Sequence, residues 1–249
     1  MRNIFLVIAA AACFTCGLTG CSKKNPAEPP AGETPTAPAG STLQFAEGFG
    51  GNLSKWDASY LVSYPDEIYP HLRITTEAAH TGTHSITSDS NRTALLFIDT
   101  PRVETGIVGV QFYIMAKVAG QSNFTVEIGQ NAGSSGGLAE AFGIGFDPSD
   151  SIKCTFFDTY YSMNNGHNDS LLAPIQIDHW YKCAVEVNFT DSTIAYYLED
   201  ALVRTLPLPT SVMGIDRLLV FRGNWGAHDA PSAEGTKQYY ADDIVLYTK

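Results

Sequence analysis

Two stretches of the chain pair aromatic rings with amides and imidazole in a way that suits sugar recognition. Residues 158–169 read DTYYSMNNGHND and offer Tyr160 and Tyr161 beside several amides. Residues 221–231 read FRGNWGAHDAP and offer Asn224, Trp225 and His228. A ring face covers the apolar side of a pyranose, while amides and carboxylates take its hydroxyls. The same aromatics could instead complete a core or brace loops. Other chemistry is poorly equipped. The six histidines are dispersed, and His80 and His84 stand four apart across a glycine, a spacing that aligns ligands only on a helix. No Gly-x-Ser-x-Gly elbow occurs, and the glycine-rich run 129–137 lacks the lysine of a phosphate loop.

Strands must position these residues. No segment keeps a 3.6-residue apolar period with helix caps, whereas alternation is frequent. It predicts strands at 71–75, 85–88, 94–99, 107–116, 124–129, 141–146, 152–158, 180–189, 193–198, 201–205, 217–222 and 238–247, separated by Gly, Asn, Asp and Pro clusters. In 180–189, Tyr181, Cys183, Val185, Val187 and Phe189 share one face, and Thr190-Asp191-Ser192 and Glu199-Asp200 then turn the chain twice into a meander. The expected fold class is all-β, an antiparallel two-sheet β-sandwich.

Residue 43 is the expected start of that domain, which runs to 249. Residues 4–18 form an apolar run behind Arg2, too short for a comfortable membrane span and placed like an export signal over 1–20. Residues 22–42 hold five of the 13 prolines and no aromatic. Such a segment cannot offset its ordering entropy by burial, so 21–42 reads as a tether. The chain carries 15 basic and 26 acidic residues. Only Arg2, Lys23, Lys24, Glu28 and Glu33 precede Leu43, which leaves the domain at −12. That excludes nucleic acid as a partner and disfavours anionic lipid surfaces and polyanionic sugars. Neutral glycans, cations and proteins remain.

The tetrapeptide Leu18-Thr19-Gly20-Cys21 resembles the lipobox of bacterial lipoproteins. The resemblance implies cleavage before Cys21, lipidation of its thiol with diacylglycerol and palmitate-type acyl chains, and membrane contact through that anchor alone. Ser22 implies the outer membrane, on its periplasmic or its outer side. Further on, HWYKCAVEVNFTDSTIAYYLEDALVRTL (179–206) resembles the central meander of laminin-G-like and concanavalin A-like jelly rolls. FAEGFGGNLSKW, EAAHTGTHSI and YYADDIVLY resemble the ends of jelly-roll carbohydrate-binding modules. The implied fold is a jelly roll.

The final strand holds an anomaly. By a strict two-residue period Asp242 shares a face with Ile244 and Leu246, hence the core side, where a carboxylate must be paired or bind a metal. Asp243 would then face solvent. In the resembling modules the equivalent aspartate holds a structural calcium, and residue-by-residue transfer gives Glu47, Asp242 and the carbonyls of Thr81 and Thr83 as ligands. The alternative is that Asp242 caps backbone N–H groups. Cys154 and Cys183 remain as a pair in an oxidising compartment. In the resembling fold their strands lie near each other, which implies a disulfide; two separate buried thiols are the alternative.

These readings lead to a surface- or periplasm-tethered lipoprotein that binds neutral glycan without catalysis. The alternatives are a polysaccharide-degrading enzyme on the same fold, lyase or glycoside hydrolase, or an envelope protein-interaction module. A retaining glycosidase needs two carboxyls about 5 Å apart. Concanavalin A-like glucanases carry them as Glu-x-Asp-x-x-Glu, a motif missing here. Glu186-Val187-Asn188 and Asp147-Pro148-Ser149-Asp150 come nearest and do not fit. Lyase chemistry would draw on Tyr160, Tyr161, His167, Arg222, Asn224 and His228, without the strand motifs of the lyases.

Overall fold

The computed structural model describes residues 34–57, 72–88, 94–117, 124–131, 138–147, 151–158, 170–222 and 239–249. These residues form strands and no helix: β1 (Thr42–Glu47), β2 (Leu72–Thr75), β3 (Ser85–Ser88), β4 (Ala94–Val103), β5 (Ile107–Ala116), β6 (Phe124–Asn131), β7 (Leu138–Asp147), β8 (Ser151–Asp158), β9 (Ser170–Pro174), β10 (Tyr181–Asn188), β11 (Thr193–Leu198), β12 (Ala201–Pro207), β13 (Ile215–Arg222) and β14 (Tyr239–Thr248). They pair into two antiparallel sheets. One runs β12-β11-β10-β5-β14-β3-β2, with β1 added along β14; the other runs β4-β13-β6-β7-β8-β9. The fold is the antiparallel two-sheet sandwich that the alternation predicts and the jelly roll that the resemblance implies.

The core lies between the sheets. Val108, Val110, Phe112 and Ile114 of β5 and Cys183, Val185 and Val187 of β10 face Val126 and Ile128 of β6, Phe142 and Ile144 of β7, and Leu218 and Val220 of β13 in one apolar cluster. β10 alternates buried and half-buried residues along its whole length, as a strand with one wet face must. Its meander is closed by a two-residue turn in which Glu199 and Asp200 both have positive φ, 51° and 63°. That is the left-handed pair a tight hairpin requires. Tyr196 of β11 is fully buried and spans the core to donate its hydroxyl to the Thr155 carbonyl of β8 at 3.2 Å.

Two strands lie outside the predicted set, β1 and β9. β9 is short and ends in Pro174, and β1 has a register shift between Leu43 and Phe45, so neither keeps a clean alternation. A third difference changes the reading of the last strand. Asp242 pairs with Tyr113 and Val245 with Gln111, so Asp243 and Ile244 together oppose Phe112. The extra residue is a β-bulge, built on Asp243 at φ 50°. It resets the alternation: Tyr239 and Ala241 face the core before it, Ile244 and Leu246 after it. The strict two-residue period carried through Asp242 is therefore wrong, and Asp242 lies on the outer face of its sheet with Tyr113.

Candidate active site on the outer face of the six-stranded sheet

An open sheet in a sandwich buries one face and wets the other, yet β6 is buried on both. Phe124, Val126 and Ile128 enter the core, while Thr125 and Glu127 point outward and are only 3% and 6% exposed. Neighbouring strands complete this outer surface through their register. Glu127 lies between Leu219 of β13 and Gly143 of β7, with Thr155 of β8 beyond the glycine; Thr125 lies opposite Gly145.

The two glycines explain how Glu127 and Thr125 are held. A Cβ on Gly143 would stand 2.5 Å from Glu127 Cγ and 3.0 Å from Thr155 Oγ1. One on Gly145 would stand 2.5 Å from Thr125 Cγ2. Both side chains therefore lean over β7 where it carries none. Thr125 donates its hydroxyl to Glu127 Oε1 at 2.6 Å. Thr155 Oγ1 is buried with no hydrogen-bond partner among the described residues.

One residue-step away, Arg217 is 3% exposed. It donates to both oxygens of Asp99, Nε to Oδ1 at 2.6 Å and Nη2 to Oδ2 at 3.1 Å, and lies 4.3 Å over the Phe97 ring. The outer face thus carries one carboxylate held by a hydroxyl and one arginine neutralised by an aspartate. At the β7–β8 hairpin Asp147 pairs with Lys153.

Sequence reasoning missed Glu127. Its signal was present, because Phe124, Val126 and Ile128 claim one face of the strand and leave Thr125 and Glu127 together on the other. The aromatic-rich candidates Tyr160, Tyr161, Asn224, Trp225 and His228 lie outside the described residues. The strands leading into them are described. β8 runs toward Tyr160 and β13 toward Asn224, and the pairing of Arg222 with Phe124, Phe124 with Phe146 and Phe146 with Ile152 puts the ends of these two strands at opposite ends of the sheet.

The residues chosen as calcium ligands do not assemble into a shell. Asp242 Oδ2 accepts the N–H groups of His80 at 2.8 Å and Thr81 at 3.3 Å, and Oδ1 accepts the N–H of Asp243 at 2.8 Å. Thr81 thus meets Asp242 through its N–H, a donor that occupies the oxygen a cation would need. Asp243, expected in solvent, is 4% exposed and binds His80 Nδ1 at 2.7 Å and Thr81 Oγ1 at 2.6 Å. Glu47 pairs in register with the core-facing Ile244, so it sits on the other face of the sheet. It accepts the Phe49 N–H at 2.8 Å and faces Lys55 at 3.4 Å. Thr83 is exposed and bonds His84. Among the described residues no group of three or more His, Cys, Asp or Glu could hold a metal. The capping alternative describes Asp242. Burial, then the neighbouring Asp243, pushes its carboxyl up to about 7, against the pull of the three N–H donors.

Cys154 and Cys183 stand as two buried thiols and not as a disulfide. They belong to strands of opposite sheets, and Cys183 Sγ turns to the Tyr181 carbonyl at 3.8 Å. Burial pushes the Cys183 thiol well up, which keeps it protonated and inert.

Several solved structures of the same shape are carbohydrate enzymes. An endo-β-1,3(4)-glucanase of family GH16 superposes over 89% of this chain and 96% of its own, with TM-score 0.58 and 14% identity. The catalytic domain of an endo-1,3-β-glucanase (laminarinase) from Thermotoga petrophila RKU-1 covers 84% of this chain and 98% of its own at TM-score 0.55 and 11% identity. The transglycosylase Crh5 gives TM-score 0.54 at 11% identity over 83% of this chain and 85% of its own. The fold is theirs. A sialidase also matches, but this chain spans only 19% of that protein's length. No family model and no curated protein matches the sequence. At these identities the likeness establishes the sandwich and leaves chemistry to the residues. It does overturn one expectation. The neighbours named here are hydrolases and a transglycosylase, not the non-catalytic glycan-binding modules that the sequence led one to expect.

Proposed function

We propose that the protein is a glycoside hydrolase or transglycosylase, with the outer face of the β4-β13-β6-β7-β8-β9 sheet as its substrate surface and Glu127 as its central carboxylate. The observation that carries this is Glu127 itself, a carboxylate 6% exposed on the face of an open sheet that points away from the core. A buried carboxylate is costly, and this position contributes nothing to the apolar core. The architecture is that of endo-glucanases, which fits a long substrate. β6 and β8 each have eight residues, about 26 Å of strand, room for several sugar units along the face. The net charge of −12 beyond residue 42 favours an uncharged polysaccharide.

Hydrolysis breaks the bond between the anomeric carbon and the leaving oxygen. One group gives that oxygen a proton, and a carboxylate either attacks the anomeric carbon or takes a proton from the attacking water. Glu127 is assigned the second role. The chain lacks Glu-x-Asp-x-x-Glu, so the proton donor comes from another strand or segment. Incubation with β-1,3- and mixed-linkage glucans and a wider neutral panel should yield new reducing ends, or lengthened products if transfer dominates, and Glu127→Gln should abolish both. Unsaturated uronates released from an acidic polymer would assign a lyase instead, and no product from any polymer would refute the proposal.

The N-terminal resemblance extends this to location: a lipoprotein anchored at Cys21 in the outer membrane, holding the domain off the bilayer on residues 22–42. Metabolic labelling with a fatty acid should mark the protein and fail in Cys21→Ser; labelling that persists there would refute the anchor.

A further inference from the structure

We infer that Thr125 is the positioning residue of this face: its hydroxyl fixes Glu127 Oε1 and favours the ionised form, the one a nucleophile or base needs. The inference rests on the functional reading of Glu127 and adds the identity of its partner and the form that this partner favours.

Residues two apart on a strand share a face, and both members of this pair are buried. The 2.6 Å contact lies in the range of an O–H donating to a charged carboxylate. A hydroxyl spent this way stabilises the charged acceptor. The geometry leaves the pair little freedom. Thr125 is β-branched and stiff about its first torsion. Its Cγ2 occupies the space over Gly145, while Glu127 Cγ occupies the space over Gly143. Leu219 closes the other side of Glu127 through the β13 register. Thr155 Oγ1 approaches the same point over Gly143 and lacks a partner among the described residues. A buried hydroxyl left so is costly, and a ligand hydroxyl arriving beside Glu127 would relieve it.

The test compares Thr125→Val, which keeps the shape and removes the donor, with Thr125→Ser, which restores it. In the active protein, Thr125→Val should raise the acidic limb of the kcat/KM profile by about one pH unit, and Thr125→Ser should return it. Thermal melts will confirm that both variants fold. Carbon-13 NMR of the glutamate side-chain carboxyls, assigned to Glu127 by its loss in Glu127→Gln, reads the same shift without any turnover. An identical Glu127 titration in wild type and Thr125→Val would overturn the inference. If the NMR shift is present but no polysaccharide is cleaved, the Thr125 contact stands while the enzymatic reading falls.

Discussion

The protein buries carboxylates on the outer faces of both its sheets, and the two places use them differently. On β14, Asp242 gives its oxygens to three backbone N–H groups, two of them from the turn that joins β2 to β3. Asp243 takes the side chains of the same turn. His80 completes the seal, stacked on Tyr113 at 3.5 Å between ring centroids. Every contact there is one that a loop needs in order to be pinned to a strand. On β6, Glu127 takes a side-chain hydroxyl and lies over glycines. A carboxylate held by main-chain donors fixes a loop; one oriented by a side-chain hydroxyl over glycines is the one the proposed chemistry uses.

The sharpest way to break this contrast is to remove each acid in turn. Glu127→Gln should lower turnover by about a thousandfold, the scale of a lost acid or base group, while shifting the melting temperature by no more than a few degrees. Asp242→Ala should do the reverse. It strips three N–H groups of their acceptor, which costs about 2–4 kcal/mol and lowers the melting temperature by roughly 5–10 °C in a domain of this size. The specific activity of the molecules that remain folded should be unchanged. Should Glu127→Gln unfold the protein and Asp242→Ala silence it, the roles assigned to the two faces are exchanged.

This contrast also marks what could be read from the amino acids. The sandwich was legible because twelve of its fourteen described strands carry enough β pattern to be predicted, β10 above all. Asp242 was rightly singled out as an anomaly and wrongly placed. A bulge at an aspartate with positive φ leaves no mark in a two-residue period, and one inserted residue sends every later side chain to the other face. The partners of Asp242 come from a turn about 160 residues earlier in the chain, a contact that spacing does not encode. Glu127 was overlooked for the opposite reason. In Phe-Thr-Val-Glu-Ile an alternating Thr and Glu read as an ordinary solvent face, and only the burial of that face makes them unusual.

A pH titration sharpens the comparison further. The Asp242 carboxyl is raised from its ordinary value of 3.8 to about 7, so the folded state binds a proton there more tightly than the unfolded chain does. The stability this supplies is complete below the ordinary value and is lost as the pH climbs through 7. Other carboxylates titrate too, so the difference between wild type and Asp242→Asn isolates the effect. The variant should gain on wild type by about 1–3 kcal/mol between pH 5 and pH 8, read as a difference in melting temperature. A difference that stays flat over that range would mean that the three N–H donors outweigh burial and keep Asp242 charged throughout.

The smallest effect belongs to the core between the two faces. Cys154 and Cys183 enter it from opposite sheets as thiols, and facing sheets stand about 10 Å apart, whereas a disulfide needs Cα atoms within about 7 Å. A reductant should therefore leave the melting temperature unchanged, and Cys183→Ala should cost only about 1 kcal/mol for a slightly smaller side chain. A fall of several degrees on reduction would mean that the sheets close together at β8 and β10. Since Thr155 and its neighbours on β8 flank Glu127 on the outer side of that strand, such a pinch would also shift the floor on which the proposed active site rests.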